Sequence, residues 1–217
     1  MRHFLQSITQ RIVFVCFLIS CSSVQGAAYD DLLRAAELGD ASGVERMVAR
    51  GLDPNTADAK GNTLLMIAAR EGHKDVVWTL VRRKANANRR NQHGDTALMI
   101  ASLRGDREIA RMLIEFGNAE VKHSGWAPIH YAAFQDKPEL IRYLIAKGAD
   151  KDALAPNGYT ALMLAARSGH DDAARALLHE DVDINVRSPD GETALRIAKA
   201  RKHSGVAELL IRAGGVD

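Results

Sequence analysis

From about residue 29 to the C-terminus, apolar residues fall into short clusters, each with a helical period and each cut off by a glycine or polar turn after eight or nine positions. The stretch from Gly125 to Gly148, GWAPIHYAAFQDKPELIRYLIAKG, shows the pattern most clearly. Pro128 suits the first turn of a helix, where its missing N–H costs nothing, and Ile129, Ala132 and Ala133 then form a small apolar face. Pro138 opens a second helix whose apolar residues Leu140, Ile141, Leu144 and Ile145 recur at one, three and four positions, and Gly148 ends it. Helices this short are not stable alone, so the pair must bury its faces against copies of itself.

The copies are present. A glycine before the first helix recurs at Gly61, Gly94, Gly125, Gly158 and Gly191, with spacings of 33, 31, 33 and 33 residues. The turn between helices recurs at Gly39, Gly72, Gly105, Asp136, Gly169 and Lys202. The position after the second helix recurs at Gly51, Lys84, Gly117, Gly148, Asp181 and Gly214. Each pair across these two series is 12 residues apart.

A period of 33 with these motifs resembles the ankyrin-repeat family. DAKGNTLLMIAAREGH from Asp58, SGWAPIHYAA from Ser124, PNGYTALMLAARSGH from Pro156 and KGADKDA from Lys147 carry the resemblance, which extends over about residues 29 to 215. The histidine usual in the family's first helix survives as His130 and is replaced by Met66, Met99, Met163 and Arg196. The resemblance implies an all-α solenoid of about six stacked helix-turn-helix units joined by β-hairpin-like loops. The units are expected at about 29–57, 58–90, 91–122, 123–154, 155–187 and 188–217, the last a C-terminal cap. Only eight positions separate Gly117 from Gly125, where other units use ten, so a tighter connection is expected there.

Local rules add detail. Thr63, Thr96 and Thr160 stand where a helix N-cap hydroxyl is wanted, and unit four has Ala127 instead. Asp30 and Asp31 are expected in the first turn of unit one's helix, favourable to its dipole. Lys84, Asp136, Asp181 and Lys202 fill glycine sites and are expected in a strained left-handed conformation. Trp78 is expected as a lone exposed residue on an outer face.

The N-terminus reads differently. Ile12 to Ile19, IVFVCFLI, is an apolar run preceded by Arg2 and Arg11 and followed by small residues, too short to span a bilayer. It predicts a secretory signal peptide over residues 1–28, cleaved after Gly26 or Ala28, and hence a soluble periplasmic product. Leu18, Ile19, Ser20 and Cys21 also resemble a bacterial lipobox, which would make Cys21 the lipidated first residue of an envelope-anchored protein. Both cysteines, Cys16 and Cys21, lie in this segment, so the repeats offer no disulfide or thiol chemistry.

Removing residues 1–26 takes away Arg2 and Arg11 and no acidic residue, so 29 basic residues become 27, equal to the 27 acidic ones. That balance argues against nucleic acid. No phosphate loop, zinc signature or nucleophile elbow occurs, so no enzyme, cofactor or metal is expected. His73, His130 and His170 are expected to hold turns together. The cluster His179, Glu180, Asp181 and Asp183 reads as a solvated tip. The run Arg82, Arg83, Lys84, Arg89 and Arg90 reads as a solvated edge or as a contact for an acidic partner or anionic headgroups.

The resemblance further implies that a monomer binds a partner protein through loop tips and first-helix residues on one concave surface. Among the positions carried over, Arg70, Arg104, Trp126, Phe134, Tyr159 and Arg167 combine the residue types that most often dominate interfaces. Asn62, Gln92 and Asp95 occupy further such positions. The expected function is therefore a non-enzymatic protein-protein interaction module of the cell envelope. The alternatives are a lipid-anchored envelope organiser and an exported effector acting on a host protein.

Overall fold

In a computed structural model, residues 26–217 are described; the proposed leader up to residue 25, with Cys21, lies outside them. They form twelve helices in six consecutive pairs. Helix α1 occupies residues 26–38 and is followed by α2 (Ala41–Ala49), α3 (Leu64–Glu71), α4 (Lys74–Arg82), α5 (Ala97–Arg104) and α6 (Arg107–Glu115). The second half comprises α7 (Pro128–Phe134), α8 (Pro138–Ala146), α9 (Ala161–Ser168), α10 (Asp171–His179), α11 (Ala194–Ala200) and α12 (Ser204–Arg212).

Each helix is too short to persist alone, and the packing supplies what length does not. The first helices of successive pairs stack on one another in the order α3, α5, α7, α9, α11, and the second helices form a parallel row from α2 to α12. A single core runs between the rows, and in α3 and α9 six consecutive residues are buried, Leu64–Ala69 and Ala161–Ala166. A first helix thus touches its own partner and both neighbouring first helices, which is why small alanines fill so much of it.

The helix starts follow the expected chemistry. Thr63, Thr96 and Thr160 accept a hydrogen bond from the amide three residues on, and Thr193 does the same for α11. Met66 and Met99 turn their sulfurs back onto the Thr63 and Thr96 amides, 3.4 Å away. In unit four the same return contact comes from His130, whose Nδ1 accepts from the Ala127 amide at 3.0 Å, but Ala127 has no hydroxyl to complete the exchange. Ala127 is as buried as the three threonines and has the same extended backbone. Replacing it by threonine should therefore add about 1 kcal/mol of stability and raise the midpoint of thermal unfolding. An unchanged or lower midpoint would show that the site has no room for the hydroxyl.

The histidines at the turns bond across units: the Nε2 atoms of His73, His170 and His203 reach back to the carbonyls of Glu37, Phe134 and Arg167 in the preceding unit. Two expectations need correction. Helix α1 is already formed at residue 26, so Asp30 and Asp31 sit more than a turn inside it. The second correction concerns the end of α6. Lys84 and Asp181 do adopt positive φ, as expected, but in unit three the left-handed residue is Asn118 (φ 53°), one position past Gly117. The helix end holds one extra residue, and Gly117 is needed because a Cβ there would stand 2.8 Å from the Leu113 carbonyl oxygen.

The connection that follows is consequently shorter than spacing alone suggests. Asn118 to Gly125 is seven positions, whereas Gly148 to Gly158 is ten. The longer connections close with paired backbone bonds, such as Ala155 N to Tyr159 O and Gly158 N to Ala155 O, and one contains an antiparallel bridge, Ala57 to Thr63. In the short one the ring of His123 does that work, with Nε2 on the Glu120 carbonyl and Nδ1 facing Arg90 at 2.8 Å. Neighbouring connections are laced by a ladder: Asn55, Asn88, Asp152 and Asn185 each accept from a backbone amide in the next unit, at Asn86, Glu120, Asp183 and Val216. Lys122 stands at the place of the missing rung between units three and four, and α6 and α8 also meet less than the other second-row pairs.

Candidate functional site

The carried-over residues fall into two lines on the first-helix side. Arg70, Arg104, Phe134 and Arg167 lie at or near the C-terminal ends of α3, α5, α7 and α9, in successive units. Trp126 and Tyr159 lie on the connections that lead into α7 and α9, at the other end of those helices. Phe134 and Trp126 remain 47% and 37% exposed, and Leu103, beside Arg104, 40%, which is a substantial apolar area to leave in water.

Trp126, Tyr159 and the three arginines each make a defined side-chain contact. The Trp126 ring meets His130 edge-on at 5.7 Å and Tyr131 at 5.8 Å, so it packs on its own unit. Arg167 lies over the Tyr159 ring at 6.0 Å, and the Tyr159 hydroxyl donates to Glu192 at 3.0 Å. Desolvation, with the Glu192 carboxylate second, raises the Tyr159 pKa, so the hydroxyl keeps its proton. Arg104 donates to the Arg70 carbonyl at 2.7 Å, and Arg70 pairs with Glu71 at 2.9 Å. Five of the six residues thus enter local contacts, Trp126 with Tyr131, Tyr159 with Arg167 and Arg70 with Arg104, along one side of four successive units, and Phe134 stands exposed among them.

Other carried-over positions are used structurally. Asn62 is buried and bonded to Asp58 and Asn91, Gln92 donates to the Ala59 carbonyl, and Asp95 accepts a 2.5 Å hydrogen bond from the Tyr131 hydroxyl. Burial, then the Asp95 carboxylate, pushes the Tyr131 pKa well above its usual value. The basic run is similarly dispersed: Arg83 pairs with Glu45, Arg89 donates to the Asn55 carbonyl, and Arg90 to the Gly94 carbonyl and His123.

The second-helix side holds a feature that periodicity does not reveal. Trp78 is not alone: its ring meets Phe116 edge-on at 5.1 Å, with both rings well exposed. The extra residue at the end of α6 is what places Phe116 there, and it would be visible only by aligning Ala119 with Ala85 and Ala149. Between the starts of α4 and α6 lies an open hollow of about 590 Å³ lined by Lys74, Arg104, Asp106, Arg107, Glu108 and Arg111. Among the described residues no group of three histidine, cysteine or acidic side chains is placed to hold a metal ion, and no helix is long and apolar enough to cross a membrane.

Comparison with known proteins places this geometry. A family model described as ankyrin repeats (3 copies) matches residues 32–124 and 116–188. The chain is 41% identical over 54 residues to the human ankyrin repeat and SOCS box protein 3, a match covering 24% of this chain and 10% of that protein. It is 37% identical over 51 residues to the human protein phosphatase 1 regulatory subunit 27, covering 22% of this chain and 32% of that one. The chain thus spans a third or less of these curated relatives. A crystal structure of an ankyrin repeat domain from Acinetobacter baumannii AYE superposes with a TM-score of 0.76 at 26% identity, over 85% of this chain and 98% of that one.

Proposed function

The chain belongs to the ankyrin-repeat family, and from that premise we propose that it is a non-enzymatic interaction module of the cell envelope, exported by its N-terminal segment. Its first-helix side would bind a partner protein through Arg70, Arg104, Trp126, Phe134, Tyr159 and Arg167. The carrying observation is that Phe134 and Trp126 are left exposed on a scaffold whose neighbouring polar groups are already bonded. Such a surface loses little conformational entropy on binding, so modest buried area can give useful affinity. Export is supported by the apolar run Ile12–Ile19 behind Arg2 and Arg11, with small residues at the cleavage position. A lipid-anchored variant of the same function is favoured by Leu18 to Cys21.

One experiment tests both levels. The protein is crosslinked in the native envelope and captured, alongside a Trp126→Ala, Phe134→Ala double variant whose circular dichroism is checked. Loss of the crosslinked band, with unchanged helicity and about a tenfold or greater loss of affinity, is the expected result for two interface anchors. An undiminished band would remove this surface from the proposal. The intact mass of the captured chain then reads the start point: Ala27 or Tyr29 for the soluble form, a diacylglyceryl Cys21 for the anchored one, and Met1 against export.

A further inference from the structure

The chain's balanced net charge conceals a segregation between the two helix rows. Helices α2, α4, α6, α8, α10 and α12 carry eight basic and eight acidic residues. These are largely spent on one another or on adjacent groups, as in Lys74 with Glu108, Arg111 with Glu115, Arg142 with Glu139, Arg175 with Asp172 and Arg212 with Glu208. In the other row, α1 is acidic, with Asp30, Asp31 and Glu37 against Arg34, but from α3 onward helices α3, α5, α7, α9 and α11 carry five basic residues, Arg70, Arg104, Arg167, Arg196 and Lys199, against one acidic residue, Glu71.

That single carboxylate is taken by Arg70, and Lys199 is held by Asp217 at 2.7 Å. Among the described residues, Arg104, Arg167 and Arg196 meet no carboxylate. Arg104 spends one donor on a backbone carbonyl, and Arg167 rests over a ring. A guanidinium has five N–H donors, so Arg104 and Arg167 keep most of their capacity beyond the one contact each makes. Between α5 and α9 lies α7, which has no charged residue and ends in the exposed Phe134. Leu103 adds apolar surface beside Arg104. In array order the row therefore reads cation, apolar ring, cation.

We propose that the first-helix row recognises an acidic partner segment, in which carboxylates flank an apolar or aromatic residue. This rests on the interaction-module reading above and adds the chemistry of the partner. Packed helices lie about 8–10 Å apart, so the ends of α5 and α9, two helices apart, are separated by about 16–20 Å. An extended chain advances about 3.3 Å per residue, so carboxylates five or six residues apart match the spacing of these two helix ends, with the exposed Arg104 side chain turning from the Arg70 carbonyl to its carboxylate, while the residue midway between them covers Phe134. Carboxylates on Arg form paired, directional hydrogen bonds, which would set the partner's register along the row.

The test uses the purified protein and a labelled peptide with a central Phe and a Glu three residues to either side, alongside the same peptide with Gln for Glu. The Glu peptide should bind at least tenfold more tightly, and the preference should weaken with added salt. The Arg104→Ala, Arg167→Ala double variant should lose that preference. An Arg142→Ala, Arg175→Ala variant, which removes the same charge from the other row, should keep it. Equal binding of the two peptides, or a preference indifferent to Arg104 and Arg167, overturns the proposal. So does an oligothymidylate that displaces the Glu peptide at equal concentration, since the row would then be a general polyanion surface. If the envelope crosslink still depends on Trp126 and Phe134 while the peptide preference is absent, the interaction reading stands and only its chemistry falls. If the crosslink is also insensitive, both fall.

Discussion

Ile129→Ala should lower the stability of the protein by about 2–5 kcal/mol and also split its unfolding into two transitions. Ile129 is fully buried in α7, which packs on α5, α8 and α9. In a linear array, stability is close to a sum of unit terms and nearest-neighbour terms, so the site of a cavity matters as much as its size. The joint between units three and four already lacks a rung of the Asn ladder, has the shortest connection, and has little contact between α6 and α8. The α5–α7 contact therefore carries most of the buried coupling across it, beside the polar links of Tyr131 to Asp95 and of Glu115 to Lys147 and Tyr143, and the substitution weakens that contact. Leu210→Ala removes a similar buried side chain from α12 and should cause fraying at the end without dividing the array.

The two native tryptophans stand on either side of the joint, Trp78 in α4 and Trp126 just before α7. Single-tryptophan versions therefore report the two halves separately in a urea titration. For Ile129→Ala the Trp78 and Trp126 curves should separate; for Leu210→Ala they should stay together. Coincident curves in both would show that the six units behave as one cooperative block despite the altered joint.

The same joint marks where the sequence was legible and where it was not. The repeat is written in residues with strong local requirements: Thr at the caps, Pro128 and Pro138 at the first helical positions, and turn residues with positive φ at Gly72, Gly105 and Gly169. Because every copy solves the same packing problem, agreement between copies exposed the fold. The shift at Asn118 escaped because Gly117 lies on the glycine spacing yet is required by a close approach to the Leu113 carbonyl, a different constraint with the same residue as its answer. The binding side was legible only as positions. Which of them are spent internally depends on partners some 30 residues away, such as Asp95 for Tyr131 and Glu192 for Tyr159, and no spacing rule predicts those. The charge segregation was hidden for a simpler reason: a net charge sums over both helix rows.

Lowering the pH from 7.5 to 5 should destabilise the native protein and have much less effect on a His130→Met variant. His130 is completely buried, and both ring nitrogens are used in one tautomer: Nδ1 accepts from the Ala127 amide, and Nε2–H donates to the Ala153 carbonyl at 2.9 Å. A second proton would sit on Nδ1, facing a donor inside the core, so desolvation holds the pKa of His130 below its ordinary value. The unfolded chain then binds the proton first. Stability from this group is complete above about pH 6.5, the unfolded value, and is lost as the pH falls from there through the lowered folded value. The half-buried His123 acts in the same direction, through its own desolvation and the adjacent Arg90, and leaves a smaller slope in the variant. Methionine is the protein's own alternative, since Met66 and Met99 accept from the cap amide with a group that does not titrate. It cannot replace the donor to Ala153, so His130→Met should cost about 1–3 kcal/mol at pH 7.5, and that difference should shrink as the pH approaches 5. Urea unfolding at four pH values over this range measures it. Parallel stability profiles for the two proteins would mean that the buried ring is not the acid-sensitive element of unit four.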